Sequence, residues 1–558
     1  MFPTDASTFS QFLSNNQFII YAVIAALNGV LLFFSSVKFL LVLQQCGYHG
    51  KRYFKWLGSS ETPYRSRLML LSLLGFLFFC VLNMCFTSLL GRDIASYVGF
   101  VAYILFMVLY INTESAVNAK VPLKKTKRLV RLSATFILFL CAFTFGLLIL
   151  IDLISFAIGE RVVAILRYAI ICIMPILSPY ILFLAYCTNE PFEWAIRTHY
   201  YNVTKDKLAR ADVLKVAITG SYAKTSVKEM LKTILSQKYR VLATPESYNT
   251  PMGISLAVKN LDSTHDVFIA EFGARYKGDI RYLSKLVNPD IAVLTGINLQ
   301  HLETFKSIEN IKDTKYELFE ELKSGGKAFF NSDSEGANEL FGRFNGEKYL
   351  AGIDGKENIV RASDIFTDAR GTKFVLTFEG EKSVTCSSVL LGRHSISNVC
   401  LAAAVAYKIG MTPEEIALGI NRISSVGHRL ELVPNNKDIV IIDDSYNSNT
   451  DGIKAAMEVL DIFSGKKIVV TPGLVELGKE ENVANFNFGK LLAGHADKVI
   501  IIGNHNAETL INGLIEGGMD KSDISFAKNL KKGNEMLNET VEKGDVVLFE
   551  NDLPDNYS

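Results

Sequence analysis

The chain has 558 residues, of which 49% are hydrophobic, and its formal net charge at pH 7 is +1. A near-neutral chain without a basic stripe gives no support for nucleic-acid binding, so we expect no nucleic-acid partner. None of the eight cysteines forms a Cys-x-x-Cys pair, which argues against a disulfide framework or a zinc site.

Apolar residues concentrate before about residue 190, where five stretches have bilayer length or close to it. We therefore predict an all-α transmembrane domain over residues 1–190. The first stretch has no preceding basic region and no small-residue cleavage site after it, so it is not expected to be a signal peptide. The five stretches are Phe18–Leu43, Leu68–Leu90, Ser96–Ile111, Ser133–Ala157 and Val162–Tyr186.

Charge in the short loops predicts the orientation of these stretches. The loops after the second and fourth stretches each carry one Arg and one acidic residue. The loops after the first and third stretches are basic, through Lys51, Arg52, Lys55, Arg65, Arg67, Lys120, Lys124, Lys125, Lys127 and Arg128. Because positive loops stay on the cytoplasmic side, we expect a multi-pass plasma-membrane protein with its N-terminus outside and its chain cytosolic from Cys187 onward.

Two charged residues interrupt the last two apolar stretches. Asp152 and Arg167 each lie about seven residues from the turn near Gly159, so a helical hairpin would bring them to the same depth. One interpretation is an intramembrane ion pair that lines a lipid or substrate groove. The other is a structural or interfacial pair without a ligand.

A polar segment, residues 191–210, predicts a linker between the membrane domain and the second half. Short β-branched runs then alternate with helical patterns, which is typical of βαβ units and a parallel sheet. We predict a central α/β domain over residues 211–425, with an antiparallel flank near Ile359–Ser388. A second α/β series, Rossmann-like in its alternation, is predicted over residues 426–558.

The segment Ile218–Leu231 contains a candidate phosphate-binding loop, because a β-branched run enters Gly220 and Lys224, Thr225 and Ser226 then begin a helical pattern. A phosphate loop normally has Gly directly before its Lys, whereas this chain has Ala223. Backbone N–H groups at a helix N-terminus favour an anion. Lys224 would neutralise β- and γ-phosphate charge, and the Thr225 hydroxyl would ligate Mg²⁺. The alternative is a structural turn with a surface lysine.

Two further polar residues follow predicted strands, namely Glu271 and His301. Parallel strands bring their carboxyl ends to one ligand crevice. An acid, an imidazole and the Thr225 hydroxyl from three strand ends can therefore surround one divalent cation. A lone histidine would more often be a buried or capping residue.

The order of nine short motifs resembles the Mur ligase family, with the nearest similarity to the branch that adds D-alanyl-D-alanine to the muropeptide. The resemblance covers about residues 210–490 and is looser beyond. It implies an ATP-binding central domain and a C-terminal domain that closes over it. The motifs read "TGSYAKTS", "YNTPMGISLA", "EFGA", "TGINLQHLETFKSIENI", "TKYELF", "GRHSISN", "HRLE", "DDSYNSN" and "VELG".

The resemblance also implies roles for individual residues. Glu271 and His301 would ligate metal with Thr225, and Lys224 would bind the triphosphate. Lys315 matches the lysine that the family carbamylates, a modification that turns a cation into a carboxylate-like ligand for a second Mg²⁺. Further positions would bind the nucleotide, namely Gly220, Ser221, Ser226, Asn398, Arg429 and Asp444. The acceptor side and the domain junction would involve Asn249, Thr250, Tyr446, Asn447 and Asn449.

The implied reaction is ATP-dependent formation of a peptide bond through an acyl phosphate, with a cell-wall peptide precursor as acyl donor and an amino acid or dipeptide as amine. Ala223, Ser395 and Thr450 depart from the family pattern, and the membrane stretches replace the usual UDP-binding domain. The precursor can therefore be UDP-linked or lipid-linked. Alternatives are a polyglutamate-type ligase, a nucleotide-binding membrane scaffold or pseudoenzyme, and a transporter with an ATPase domain.

Overall fold

The computed structural model describes residues 16–58, 68–90, 92–115, 123–154, 160–298, 302–425, 427–435, 438–446, 449–475 and 477–551. The chain forms two compact units, one up to Ile196 and one from Arg197 onward. Each unit is built differently, since the first is helical and the second is α/β.

The first unit consists of helices, as its apolar composition predicts. Three of them are long and apolar enough to cross a membrane by length and composition, namely Gln17–Ser35, Lys127–Ile154 and Ile165–Arg210 within the described residues. The second and third predicted spans coincide with helices whose described apolar segments are shorter, Met69–Val81 and Val98–Asn112. The helices are α1 (Gln17–Ser35), α2 (Val37–Gln45), α3 (Gly50–Leu57), α4 (Met69–Leu90), α5 (Arg92–Ser115), α6 (Lys127–Ile154) and α7 (Glu160–Arg210).

Two sequence expectations about these helices need correction. The first predicted span is interrupted at Ser36, where α1 ends and α2 begins. Residues 191–210, predicted as a linker, form the C-terminal part of the 51-residue helix α7. The segment has no Gly, and its only Pro is Pro191, so nothing in its backbone chemistry ends the helix. Its polar composition reflects solvation rather than a break in secondary structure.

The predicted pairing of Asp152 with Arg167 is confirmed. The Arg167 guanidinium donates to Asp152 Oδ1 through Nε at 3.0 Å and also through Nη2. Two residues of α1 complete the cluster, because Gln17 Nε2 donates to Asp152 Oδ2 at 2.6 Å and the Tyr21 hydroxyl donates to Oδ1 at 3.0 Å. A carboxylate with this many donors favours the structural interpretation over a ligand groove.

The second unit begins with a nine-stranded sheet in the order β2-β3-β1-β4-β5-β6-β7-β8-β9. Pairing is parallel from β2 through β7 and antiparallel for β7–β8 and β8–β9, which confirms the predicted antiparallel flank. The strands are β1 (Leu214–Thr219), β2 (Val241–Ala243), β3 (Val267–Glu271), β4 (Ile291–Leu294), β5 (Lys327–Asn331), β6 (Glu347–Gly352), β7 (Asn358–Asp368), β8 (Gly371–Phe378) and β9 (Ser383–Ser388).

Helices cover both faces of this sheet, so its central strands are buried on both sides. In β1, Val216 and Ile218 pack into one hydrophobic core, while Ala217 between them packs into the other. The alternation follows from the two-residue period of a strand. The helices are α8 (Lys224–Leu235), α9 (Pro251–Val258), α10 (Asp279–Val287), α11 (Leu302–Phe305), α12 (Ile308–Glu320), α13 (Glu335–Arg343), α14 (Arg393–Ile409) and α15 (Pro413–Ile420).

A second, six-stranded sheet follows in the order β10-β11-β15-β12-β13-β14, with only β10–β11 antiparallel. It confirms the second predicted α/β series, and β11 places Asp444 at its C-terminal end. Its strands are β10 (Glu431–Leu432), β11 (Val440–Asp444), β12 (Lys467–Thr471), β13 (Lys498–Ile502), β14 (Ile524–Ala527) and β15 (Val546–Glu550). Its helices are α16 (Thr450–Leu460), α17 (Glu481–Ala493), α18 (Ala507–Glu516) and α19 (Leu530–Thr540).

Candidate functional site

The loop between β1 and α8 lies against the end of the neighbouring strand β4. A Cβ atom on Gly220 would lie 2.1 Å from Thr295 Oγ1, so only glycine allows this approach. The Ser221 N–H donates to the Gly296 carbonyl at 2.8 Å, and the Ser221 side chain is buried. The loop is thereby held so that α8 begins at Lys224, directly after β1 and its turn.

Ala223 is the N-cap residue of α8 and has a left-handed backbone, with φ of +58°. The left-handed region is where glycine is favoured, and an L-residue there costs about 1 kcal/mol. The residue directly before Lys224 therefore has a backbone conformation that favours glycine, although it is an alanine. The first N–H groups of α8 are available to an anion, as at other helix N-termini.

Lys224 folds back over the loop that precedes it. Its Nζ donates to the carbonyl oxygens of Gly220 at 2.9 Å and Ser221 at 3.1 Å. The pKa of Lys224 is lowered to about 8, mainly by burial. The positive charge of Arg429 also lowers this pKa, and the negative charge of Glu271 partly offsets both effects. A triphosphate would provide the anionic partner that this desolvated ammonium group lacks.

Thr225 and Glu271 meet at the centre of the site. The Thr225 hydroxyl donates to Glu271 Oε2 at 2.9 Å, and the Asn249 amide donates to Oε1 at 3.1 Å. Glu271 is 1% exposed at the end of β3, so its oxygens are desolvated but still accept polar hydrogens. Hydroxyl, carboxylate and amide oxygens are the ligands that Mg²⁺ prefers, so this donor set fits the cation that the sequence implied.

The other two expected metal ligands have different outcomes. Lys315 lies on α12, is 3% exposed, and has its pKa lowered to about 7 by burial, with a smaller effect from the charge of Lys224. His301 lies outside the described residues. Within the described residues, the structure contains no cluster of three or more His, Cys, Asp or Glu side chains that could hold a metal ion.

A cleft of about 650 Å³ extends from the loop toward α14 and the second sheet. Asn398 lines it with an Oδ1 atom that is buried and has no hydrogen-bond partner among the described residues. His394, one turn earlier on α14, has the same property at Nδ1, and burial lowers its pKa to about 4. Two buried polar atoms without partners in one cleft are candidate contacts for a ligand or for water, because leaving such groups unsatisfied is costly. Ser226 also lines this cleft.

The second sheet contributes Asp444 to the same cleft, and the segment just before its first strand contributes Arg429. Burial raises the pKa of Asp444 to about 6, and its Oδ1 accepts from the Leu430 N–H at 3.2 Å. The Arg429 guanidinium lies 4.6 Å from the centre of the Tyr446 ring, and the Tyr446 hydroxyl is 2.8 Å from Ser247 Oγ. The structure therefore brings four of the predicted nucleotide residues to one cleft, namely Ser226, Asn398, Arg429 and Asp444.

Two predicted substrate residues have structural roles as helix caps. Thr250 Oγ1 accepts from the Gly253 N–H and caps α9. Asn449 Oδ1 accepts from the Asp451 and Gly452 N–H groups and caps α16, while the residue also lines the cleft. Asn447 lies outside the described residues. The hypothesis that these positions bind substrate stays a prediction.

The sequence interpretation missed several polar residues of the site. Lys228 is fully buried and lies 3.5 Å from Glu271 Oε2. Asn331 and Asp333 line the cleft at the end of β5. The strand-end rule that selected Glu271 would also have selected Asn331 in "KAFFNSD". No comparable signal marked Lys228, because a lysine in a helical pattern is normally exposed.

Comparison with known families finds two matches in the second unit. The Mur ligase middle domain matches residues 218–406, and the domain described as "Mur ligase, glutamate ligase domain" matches residues 428–550. Together these ranges contain the loop, Glu271, Lys315, Asn398 and Asp444.

Similar proteins include enzymes named UDP-N-acetylmuramoyl-tripeptide–D-alanyl-D-alanine ligase. The one from Buchnera aphidicola subsp. Baizongia pistaciae is 34% identical over 324 residues, which cover 58% of this chain and 66% of that protein. The one from Escherichia coli (strain K12) is 31% identical over 313 residues, covering 55% of this chain and 69% of the relative. The Bacillus subtilis enzyme is 29% identical over 340 residues, covering 60% and 72%. The chain thus spans about two thirds of these relatives.

Solved structures give the same result for the fold. MurF ligase from Thermotoga maritima in complex with ADP superimposes with a TM-score of 0.58 at 25% identity, covering 64% of this chain and 80% of that chain. MurF from Acinetobacter baumannii gives a TM-score of 0.58 at 24% identity, covering 64% and 77%. The likeness extends over most of each solved chain but not over all of this one.

Proposed function

The chain belongs to the Mur ligase family of ATP-dependent ligases, and from this we propose that it adds D-alanyl-D-alanine to a cell-wall peptide precursor at the membrane. The observation that carries the proposal is the contact of Thr225, directly after Lys224, with Glu271. The loop before Lys224 also lines the cleft to which Asn398 and Asp444 contribute. A cation, a desolvated carboxylate and two polar side chains are the groups that would hold the triphosphate and nucleoside of ATP.

The proposed reaction has two steps. The precursor carboxylate attacks the γ-phosphorus of ATP, and the bond from that phosphorus to the β-phosphate oxygen breaks. ADP departs, and the precursor carries an acyl phosphate. The dipeptide amine then attacks the acyl carbon, loses a proton, and inorganic phosphate leaves. Lys224 and the N–H groups that begin α8 hold the transferring group, and charge stabilisation with in-line positioning supplies most of the acceleration.

Thr225 and Glu271 would hold Mg²⁺, which when bound neutralises phosphate charge. Lys315 would become an additional anionic ligand if carbamylated, and its lowered pKa supports this proposal. A neutral amine is the form that attacks carbon dioxide, and burial favours that form at neutral pH. His301 would complete the site on the resemblance alone.

The choice of substrate is supported by the relatives, three of which are named as D-alanyl-D-alanine ligases of a UDP-linked tripeptide. The family models match residues 218–406 and 428–550, which lie in the second unit of this chain, while the first unit is helical. We therefore propose that the acyl donor is a muropeptide precursor linked to UDP or to a membrane lipid. The alternative reactions are ligation of a single amino acid and ligation of the polyglutamate type.

Membrane anchoring is supported by the outward face of the apolar helices. On α1, Phe18, Ile19 and Leu27 are 68%, 64% and 54% exposed, and on α6 Leu138 is 63% exposed. Apolar side chains this exposed along long helices are typical of a lipid-facing surface. We propose a multi-pass plasma-membrane protein with its N-terminus outside and the ligase unit in the cytosol. Retention in the membrane fraction after an alkaline carbonate wash would support this, and release would oppose it.

The activity is tested with the full chain purified in detergent. ATP and Mg²⁺ are incubated with D-alanyl-D-alanine and either UDP-linked or lipid-linked tripeptide precursor, and phosphate release and product mass are recorded. The proposal expects phosphate release only when both substrates are present, with one phosphate per peptide bond. Phosphate release that is the same with and without the two substrates would refute the proposal.

A second candidate is a nucleotide-binding scaffold without turnover. It is favoured by one observation, the strained φ of +58° at Ala223, where an active phosphate loop normally has glycine. Nucleotide binding with no turnover on any acceptor, unchanged in an Ala223→Gly variant, would favour the scaffold. Turnover in the wild-type chain would exclude it.

A further inference from the structure

We propose that Lys228 is a positioning residue of the ligase site, which connects the Glu271 carboxylate to the acceptor-side loop Thr244–Thr250. The proposal rests on the ligase function proposed above. Lys228 lies on α8 one turn after Lys224, and its side chain is 0% exposed. Its Nζ donates to the Glu246 carbonyl, and it lies 3.5 Å from Glu271 Oε2.

The burial of Lys228 is unusual for a lysine of an amphipathic helix. Lys232, one turn later, is 46% exposed and pairs with Glu229 at 3.6 Å in the ordinary way. An ammonium group is seldom buried without acidic partners, and Lys228 has two, since Glu229 Oε1 lies 3.3 Å away. Glu271, itself 1% exposed, needs a cation for the same reason. Each of these two buried charges is partly balanced by the other, so removal of one leaves the other less well compensated.

The loop that Lys228 contacts joins three parts of the site. Glu246 has a φ of +45°, so its backbone is in a conformation that an L-residue keeps only when its surroundings hold it. From the same loop, the Asn249 amide donates to Glu271 Oε1 at 3.1 Å. The hydroxyl of Ser247 lies 2.8 Å from the hydroxyl of Tyr446, which follows Asp444 by two residues.

These contacts give Lys228 a role beyond charge balance. Glu271 is fixed on one side by Lys228 and Thr225, and on the other side by Asn249, whose loop Lys228 also holds. Loss of the ammonium group would release Glu246 and allow Glu271 and Asn249 to shift together. Misplacement by about 1 Å of groups that align reacting atoms lowers turnover much more than it lowers binding. The proposed nucleoside contact at Asn398 lies on another helix, α14.

The first test uses the nucleotide-free full chain in detergent and measures amide hydrogen exchange in peptides that cover residues 244–250. Lys228→Met should exchange about tenfold faster than wild type, because the bond to Glu246 is lost. Lys228→Arg, which keeps the charge and donors, should restore most of the protection. Lys232→Met is the matched control on the same helix and should exchange as wild type does. If Lys228→Met fails to fold, Lys228→Gln, which keeps one donor without charge, replaces it.

The second test separates binding from turnover. For Lys228→Met we expect kcat to fall about tenfold or more while the KM for ATP changes less than about threefold, with partial recovery in Lys228→Arg. Wild-type exchange together with wild-type kcat in Lys228→Met would overturn the proposal, as would a loss of kcat equal to the loss of folded protein. An inactive wild-type chain would refute the ligase function instead, and the exchange comparison would still decide whether Lys228 holds the loop.

Discussion

The Thr225 hydroxyl donates a hydrogen bond to Glu271 Oε2 over 2.9 Å, although the two residues lie 46 positions apart. The contact exists because β1 and β3 are parallel neighbours, and Ile218 pairs in register with Glu271. A helix that starts just after β1 therefore brings its first hydroxyl to the end of β3. This pair forms the part of the site in which we place Mg²⁺.

The first prediction concerns the charge of Glu271. Glu271→Gln keeps the size of the side chain but removes the anion, so the cation site is weakened. We expect kcat to fall about 100-fold at saturating ATP, with most of the dependence on Mg²⁺ lost. Glu339→Gln is the control, since Glu339 is a 51% exposed carboxylate that lines the cleft and pairs with Lys312. Equal losses in both variants would mean that Glu271 has no special role.

A second prediction follows from the left-handed backbone of Ala223. Ala223→Gly removes the steric cost of φ +58°, so the chain should be stabilised by about 1 kcal/mol in a urea titration. Ala417→Gly, made within the helix α15, should instead destabilise the chain by about 1 kcal/mol. A destabilising effect of Ala223→Gly would show that the turn is not strained.

The third prediction concerns pH and nucleotide affinity. The pKa of Lys224 is lowered to about 8, so its cation is present below pH 8 and is lost as the pH rises above it. Affinity for ATP should therefore fall about tenfold between pH 7 and pH 9, the effect of one linked proton. Lys224→Arg stays charged throughout and should show a flat profile in the same titration. A wild-type profile that is also flat would argue against contact between Lys224 and phosphate.

The behaviour of Lys315 gives a fourth prediction. Burial lowers its pKa to about 7, so the neutral amine that reacts with carbon dioxide gains population as the pH rises through 7. Protein depleted of carbon dioxide should lose activity and regain it with bicarbonate. A short carboxylic acid should partly restore the Lys315→Ala variant.

The comparison for this prediction is Lys312→Ala, on the same helix, where Lys312 pairs with the exposed carboxylate of Glu339. It should keep its activity and show no response to added carboxylate. Nuclear magnetic resonance with ¹³C-labelled bicarbonate should give a carbamate signal in wild type that Lys315→Ala lacks. The absence of that signal in active wild-type protein would contradict the proposed modification.

The sequence predicts those parts of the site whose position depends only on where the strands of the parallel sheet end. Lys224, Thr225 and Glu271 follow strands of one parallel sheet, so their meeting could be expected from alternation of strands and helices. The antiparallel flank could also be predicted, because the sequence pattern there changes from alternating strands and helices to strands and turns.

What the sequence could not provide depends on long-range geometry. The φ of Ala223 is set by the contacts of the loop with Thr295 and Gly296, which no local pattern encodes. Lys228 is buried only because Glu271 and the Glu246 carbonyl converge on it from other segments. The helical state of residues 191–210 was missed because polar composition is common to linkers and to solvated helices.

The most direct test of the whole account is product formation by the detergent-purified full chain. With ATP, Mg²⁺, D-alanyl-D-alanine and a tripeptide precursor, wild type should give a lengthened peptide and one phosphate per peptide bond, while Lys224→Ala gives neither. ATP consumption without a new peptide bond, or product formation that persists in Lys224→Ala, would contradict the account.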